Sequence, residues 1–594
     1  MRIEKQKVKR YGIYVFYDRN GIADEYNDVF LSGLKDVVTD LLVICNGSVN
    51  EEGMRRFRAI ADEVIQRKNV GYDVTAYKEG ILRPGFQKLQ EYDEVVVCND
   101  TMYGPIYSFT EMFSKMAQKD IDFWGITNFH EVPFDPFGTV EYGYLPKHIQ
   151  SFFMVYRQSL VKSPDFQKYW GNFPQINGYE EAIGKHEASF TKRFADLGYR
   201  WAVYADSEDL EGYTYDPLRD FPRYLIEEKR CPVLKKRSFY HDYGEAMERS
   251  GGEATRDALE YVAEETAYDC GLIWKNILRT QNMADIKKRL QLNYVVSSRI
   301  PEAKVVSELK LALVLHIYYE DLAEYCRHYA EAMPEGTDIY ITVPNEEKLQ
   351  IVKAAFSDFP FKTEFRIVGN QGRDVAPFIV GCKDLIDRYD LICKVHDKRV
   401  YQVQPMSLGR SWSYKCFENL LKNRRLTENI VALFEANPYM GMLMPPVPNH
   451  GPYYPITGRG EWGENFSIAR KLADMLGIHV DMNPDKEPVA PLGSMFWART
   501  KALKPLFVHD WSYDEMPEEP IAEDNTLLHA IERIYPFCVQ EAGYYSAWVM
   551  ADSYARIELD NWDYMNEETV KAEFSRVGVR PFRQLMDAIK NYEP

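Results

Sequence analysis

The sequence has no Cys-x-x-Cys pair. Its nine cysteines (Cys45, Cys98, Cys231, Cys270, Cys326, Cys382, Cys393, Cys416 and Cys538) are scattered and odd in number, which excludes a zinc ribbon and argues against a disulfide framework. Apolar runs approaching the roughly 18 residues of a membrane helix are also missing, the best being Leu311 to Tyr319, broken by His316. Positive charge is in deficit: 72 Lys and Arg stand against 90 Asp and Glu, a net charge of −18, so wrapping a nucleic-acid backbone is excluded as the main task. No G-x-x-x-x-G-K-[ST] loop occurs, which speaks against a phosphotransferase or pyrophosphorylase. Met1 to Arg10 is basic and runs directly into a strand-like segment from Tyr11, without an apolar signal region, so the expected location is cytoplasmic.

What the chain does have is apolar material for two or three cores, 45% hydrophobic and 14% aromatic over 594 residues. It also has a weak, long-period internal repeat. Tyr11-Gly-Ile-Tyr-Val-Phe-Tyr17 and Leu311-Ala-Leu-Val-Leu-His-Ile317 both read as buried strands, followed by Asp40 to Asn46 and Asp338 to Pro344. Asn69-Val-Gly-Tyr-Asp73 and Asn370-Gln-Gly-Arg-Asp374 share N-x-G-x-D, and Tyr92 to Asp100 matches Tyr389 to Asp397. Further on, Gln150 to Arg157 is echoed by Gly493 to Arg499, and His186 to Arg193 by Glu523 to Ala530.

Strands alternating with helix-like stretches predict an α/β fold: two Rossmann-like lobes, 1–212 and 304–594, joined by a helical connector over 213–303. In such sheets ligands collect at the carboxyl ends of the strands. Asn69 to Asp73, Asn99, Asp100, His316, Asn370 to Asp374, His396 and Asp397 all fall there. N-x-G-x-D after a strand suits a tight loop opening a helix, with its amides toward an anion or its Asp serving as a cap. Arg373 adds a permanent cation to the second copy.

A terminal Asp after a buried strand can ligate Mg²⁺ or Mn²⁺ bridging a nucleotide diphosphate, which makes Asp100 and Asp397 the metal candidates. The D-x-D string usual at that place is replaced by Asn99-Asp100 and His396-Asp397-Lys398-Arg399, whose cations can neutralise a diphosphate themselves. Asp120-Ile-Asp122 is a true D-x-D, but it precedes its strand. Glu187 and the pair Glu523-Asp524 open helix-like segments, where a carboxylate either meets the helix dipole or serves as a general base. Among the aromatic clusters Trp497 reads as the pocket wall. Lys5 to Arg10 and Lys235-Lys-Arg237 are short basic runs, read as solvated surface charge or a weak membrane contact.

These residues also carry a family resemblance. Arg67-Lys-Asn-x-Gly-x-Asp73, Asn99-Asp-Thr-x-Tyr-Gly-Pro105, Asp122-Phe-Trp-Gly-x-Thr127, His148-x-Gln-Ser-x-Phe153, His186-Glu187, Arg230-Cys-Pro-Val233 with Lys236-Arg-Ser-Phe239, Asn370 to Asp374 and Gly493 to Arg499 with Glu523-Asp524 resemble the rhamnan synthesis protein F family over nearly the whole chain. The resemblance implies GT-A-like, nucleotide-sugar-binding lobes. It implies a bacterial glycosyltransferase that transfers L-rhamnose from dTDP-L-rhamnose, with inversion, to a growing lipid-linked cell-surface polysaccharide at the inner face of the membrane, alongside other polysaccharide-assembly proteins. On that basis Asn69, Gly71, Asp73, Asn99 and Asp100 line the first donor site, and His316, Asn370, Gly372, Arg373, Asp374, His396 and Lys398 the second. Glu187 is the base of the first lobe and Glu523 or Asp524 that of the second. The competing expectation is one catalytic lobe and one silent glycan-binding or scaffolding lobe.

Overall fold

Apolar runs that end in Asn, His or Gly form the central strands of two separate sheets. The computed structural model describes residues 8–301, 308–399, 404–457, 460–522 and 524–591. It divides into two compact units, Met1–Asn276 and Ile277–Pro594. The helical stretch expected as a connector is shared between them: the helix Ala254–Glu265 lies in the first unit and the helix Met283–Arg289 in the second.

The first sheet contains β1 (Arg10–Phe16), β2 (Asp40–Asn46), β3 (Glu63–Arg67), β4 (Glu94–Asn99), β5 (Phe123–Gly125), β6 (Phe153–Arg157) and β7 (Trp201–Val203). Their order across the sheet is β3-β2-β1-β4-β6-β5-β7. β1 runs parallel to β2 and β4, whereas β6 runs antiparallel to both β4 and β5. β1, β2 and β4 are buried almost throughout, as continuous apolar strands covered on both faces must be.

The second sheet contains β8 (Asn293–Val296), β9 (Leu311–His316), β10 (Asp338–Val343), β11 (Thr363–Ile367), β12 (Leu391–His396), β13 (Met440–Met444), β14 (Phe496–Arg499) and β15 (Tyr545–Ala551). Their order is β11-β10-β9-β12-β14-β13-β15-β8. Each strand of the first sheet thus has a counterpart numbered eight higher, and β14 repeats the antiparallel insertion of β6. β8 is an addition that pairs parallel with the edge strand β15.

The registers make the repeat residue-specific. Val15 lies opposite Asn99 in the first sheet and His316 opposite His396 in the second. Glu94 pairs with Arg157, as Leu391 does with Arg499. Both arginines do the same job: Arg157 donates to the carbonyl of Met116 at the end of the helix Phe109–Met116, and Arg499 to the carbonyl of Phe434 near the end of the helix Arg424–Ala436. A guanidinium there satisfies carbonyls that a helix end leaves without partners.

Trp497 is no pocket wall. Its ring is fully buried and its Nε1 donates to the Leu420 carbonyl at 3.1 Å, because β14 is an interior strand with cover on both faces. Among the described residues no helix is long and apolar enough to cross a membrane. Trp497→Ala is expected to lower the stability of the second unit by about 3–5 kcal/mol. Urea unfolding measures this, and a loss under about 1 kcal/mol would contradict the packing described.

Candidate functional site

In the first unit the chain leaving β3 is folded over the carboxyl edge of the sheet by Arg67. Its guanidinium donates to Asn46 Oδ1 at 2.6 Å and to the Val70 carbonyl at 3.0 Å, and pairs with Glu79 at 2.9 Å. Gly71 follows with φ 76°, and a Cβ there would stand 2.2 Å from Thr75 Oγ1, so only glycine fits. The helix Tyr72–Leu82 begins at once, with Asp73 in its first turn and Asn69 exposed on the loop before it.

Asp73 meets the end of β4: Asn99 donates its side-chain amide to Asp73 Oδ2 at 2.6 Å. Removal from water, with the Glu187 carboxylate as the next cause, pushes the Asp73 carboxyl up to about 6. Glu187 closes a wide helical turn, Ile183–Glu187, and its Oε2 accepts the Ser151 backbone N–H at 3.0 Å and the Ser151 hydroxyl. Three residues far apart in sequence are thereby brought together.

Asp100, one residue past β4, donates its N–H to the Val15 carbonyl at 3.0 Å and accepts the N–H of Tyr17 on its carboxylate. Lys236 Nζ stands 3.6 Å from that carboxylate and donates to the Tyr26 hydroxyl at 2.7 Å. Lys236 arrives there because Leu234–Lys235 pair antiparallel with Met102–Tyr103. The middle of the basic run 235–237 is therefore turned inward instead of solvated. Burial raises the Asp100 carboxyl, and Lys236 opposes that rise.

The second unit repeats the geometry with different chemistry. Gly372, with φ 78°, turns the loop, and Asp374 takes the place of Asp73. Lys394 Nζ donates to Asp374 Oδ2 at 3.1 Å and to the Ser494 carbonyl at 2.7 Å. His396 Nε2 lies 3.6 Å from the same carboxylate and 2.8 Å from the Gly493 carbonyl. Burial alone would raise Asp374, yet His396, Lys394 and Lys398 around it hold its carboxyl well below the usual carboxylate range. His316, bonded through Nδ1 to Thr342 Oγ1 at 2.9 Å, is pushed down to about 3 by burial and by His396.

Asp397 occupies the position of Asp100 and does the same work. Its N–H donates to the His316 carbonyl at 3.0 Å and its Oδ2 accepts the N–H groups of Tyr318 and Tyr319. Burial pushes the carboxyl up to about 7 against those hydrogen bonds. Both carboxylates are engaged within the fold: Lys236 faces Asp100, and the Tyr318 and Tyr319 amides occupy Asp397 Oδ2. Among the described residues no three His, Cys, Asp or Glu side chains gather as a metal-holding set. Asp120 and Asp122 lie ahead of β5 and bind Arg200, at the amino end of their strand.

The remaining expected residues divide. Lys398 Nζ lies 4.0 Å over the Trp412 ring, close enough to Asp374 to lower it. Asn370 is exposed on the loop. Arg373 pairs with Glu519 at 3.0 Å and donates to the Ile521 carbonyl at 3.4 Å, so its charge is already met within the fold. Asp524 accepts the Glu464 N–H at 3.1 Å and the Asn465 side-chain amide, which ties it to the turn at 462–465. Glu523 lies outside the described residues.

The position corresponding to Glu187 is held by Glu532. Ser151 and Gly493 stand six residues before the matched arginines (157 − 151 and 499 − 493), and the Gly493 N–H donates to Glu532 Oε1 at 2.6 Å as that of Ser151 does to Glu187. The helix echo at His186 therefore belongs further along than Glu523. A sequence signal existed: Glu187 and Glu532 each lie 11 residues before a Gly-Tyr pair (198 − 187 and 543 − 532). Lys236 and Lys394 carried no comparable signal, one being hidden in a surface-like basic run and the other inside an apolar strand.

Comparison with known proteins gives a family and distant relatives. The family model described as Rhamnan synthesis protein F matches residues 41–544. A protein named WxcX from Xanthomonas campestris pv. campestris, itself uncharacterized, is 28% identical over 252 residues, covering 42% of this chain and 34% of WxcX. The uncharacterized protein y4gN of Sinorhizobium fredii is 25% identical over 183 residues, 30% of this chain and 45% of y4gN. The chain thus matches less than half the length of either relative. Among solved structures, the glycosyltransferase GlyE of Streptococcus pneumoniae aligns over 72% of this chain and 99% of its own, at 10% identity and a TM-score of 0.23.

The Asp73–Glu187 pair yields a titration prediction. Asp73 titrates near 6, above the roughly 3.9 of a free aspartate, so the folded chain binds this proton more tightly than the unfolded one. Its contribution to stability is full below about 4 and is lost as pH rises through about 6. Glu187→Gln removes the neighbouring charge and is expected to lower the Asp73 midpoint, followed by carboxyl ¹³C NMR; an unmoved midpoint would show that the two groups do not interact.

Proposed function

The chain belongs to the rhamnan synthesis protein F family, and from that membership we propose that it is a glycosyltransferase, transferring L-rhamnose from dTDP-L-rhamnose to a lipid-linked surface polysaccharide on the cytoplasmic side of the membrane. The observation that supports this reading is the construction of the two sheet edges. In each, a glycine-turned loop brings a carboxylate onto the end of the fourth strand, Asp73 onto Asn99 and Asp374 onto Lys394 and His396. Open sheets bind ligands at this edge.

In the proposed reaction the nucleoside diphosphate lies against the loops 69–73 and 370–374. In the first unit the acceptor hydroxyl gives its proton to Glu187 as its oxygen attacks the anomeric carbon. The bond to the diphosphate breaks with its electron pair going to the leaving group, and the single displacement inverts the centre. Lys236 in the first unit, and Lys398 in the second, supply positive charge toward the leaving diphosphate, the task a metal performs elsewhere. Donor binding on this reading needs no divalent cation.

A second reading, one catalytic unit beside one that holds glycan, draws on the difference between the edges: Val97 and Asn99 in the first stand where the second has Lys394 and His396. Isothermal titration with dTDP-L-rhamnose and UDP-glucose, with and without Mg²⁺, tests the proposal. dTDP-L-rhamnose is expected to bind more tightly, with Mg²⁺ without effect. Lys236→Ala is expected to weaken binding to the first site by about 10-fold, the worth of one charge-assisted hydrogen bond. Binding of neither donor would overturn the proposal.

A further inference from the structure

We propose that Glu532 is the carboxylate that takes the acceptor proton in the second unit. The inference rests on the glycosyltransferase reading and adds to it the acting group of a second active site. Three independent observations carry it. First, the hydrogen bond from Gly493 N–H to Glu532 Oε1 reproduces the one from Ser151 N–H to Glu187 Oε2, at matched positions before β14 and β6. Secondly, both glutamates precede their Gly-Tyr pair by the same 11 residues, and the backbone there repeats, with Tyr199 N–H bonded to the Phe194 carbonyl and Tyr544 N–H to that of Val539, each at 3.0 Å. Thirdly, the Glu532 side chain is 16% exposed, with one oxygen on Gly493 and the other 3.1 Å from Arg533 Nη1. It is fixed in place yet still open to a ligand.

Its surroundings fit the role. Burial lowers the Lys394 ammonium, Asp374 and then Glu532 oppose that by favouring its charged form, and Lys394 is the group that holds Asp374 at the end of β12. The second edge carries a carboxylate together with the lysines Lys394 and Lys398, an arrangement suited to removing a proton from a hydroxyl while negative charge gathers on a departing diphosphate. Asp524 is tied through both oxygens to the 462–465 turn rather than to the segment before β14, and a Cβ at Gly463 would stand 2.5 Å from Asp524 Oδ2. That close fit belongs to a loop clamp. The reaction balances without a further co-reactant: the acceptor proton passes to Glu532, its oxygen bonds to the anomeric carbon of a nucleotide-sugar, and the nucleoside diphosphate leaves with the broken bond's electrons.

Glutamine separates a chemical role from a structural one, because its side-chain oxygen still accepts the Gly493 N–H while its amide cannot take a proton. The test uses the full chain with dTDP-L-rhamnose and a rhamnan oligosaccharide acceptor, with product linkages read by NMR in wild type, Glu187→Gln, Glu187→Gln/Glu532→Gln and Glu187→Gln/Asp524→Asn. The linkage that survives Glu187→Gln is expected to fall at least about 100-fold in kcat when Glu532→Gln is added, with KM little changed, the thermal midpoint held, and the acid limb of the pH profile gone. Persistence of that linkage in the Glu532→Gln double variant overturns the inference. So does its loss in the Asp524→Asn double variant alone, or a Glu187→Gln variant that makes no linkage at all. Wild type that transfers no sugar overturns the glycosyltransferase reading itself, which marks that failure apart.

Discussion

A hydrogen bond across the carboxyl edge of each sheet fixes where the rest of the site must lie. In the first unit Asn99 donates to Asp73 at 2.6 Å, and in the second Lys394 donates to Asp374 at 3.1 Å. Each joins a loop that arrives from the outer strands to the end of a central strand, and each depends on a glycine in the left-handed region to turn the loop back. Each bond adds to the partners of a carboxylate removed from water: Asp73 Oδ1 also accepts the Val74 N–H at 2.8 Å, and His396 Nε2 lies 3.6 Å from Asp374. The loop position is therefore set by the electrostatics of one carboxylate as much as by packing.

Around this shared device the two edges have taken opposite electrostatic characters. The first keeps a neutral amide and a valine at the end of β4, so that two carboxylates, Asp73 and Glu187, crowd one another and one holds its proton up to about pH 6. The second places Lys394 and His396 at the equivalent points, and its Asp374 remains ionised far into acid. A common backbone with unlike charge is what two sites for different steps, or different ligands, would look like. Asp100 and Asp397, by contrast, kept one task in both halves, gathering the N–H groups of the turn that follows the first strand.

Much of the architecture was legible in the sequence because continuous apolar runs bounded by Asn, His and Asp have few other uses than buried parallel strands. The N-x-G-x-D loops were legible for a similar reason: their glycines answer a steric demand that no other residue meets. What stayed hidden had no such uniqueness. Lys394 lies among Leu391, Ile392, Cys393 and Val395, where burial is evident but the partner, 20 residues back at Asp374, is not. Glu532 sits inside an ordinary helix, Leu527–Glu541, and in the sequence only its 11-residue spacing to Gly543-Tyr544 sets it apart, until the fold shows its hydrogen bond to Gly493. Trp497 showed the converse problem, since an aromatic beside Phe496 reads equally well as pocket or core until the neighbouring strands are known.

The pairing of Leu234–Lys235 with Met102–Tyr103 bears on how the first unit can be divided experimentally. Lys236 reaches Asp100 from 136 residues further along the chain (236 − 100), beyond the end of the last strand of its sheet at Val203. A fragment ended at residue 212 would keep all seven strands and still lose the ammonium that faces Asp100. The minimal independent piece of the first half is thus defined by charge neutralisation, not by the completeness of its sheet.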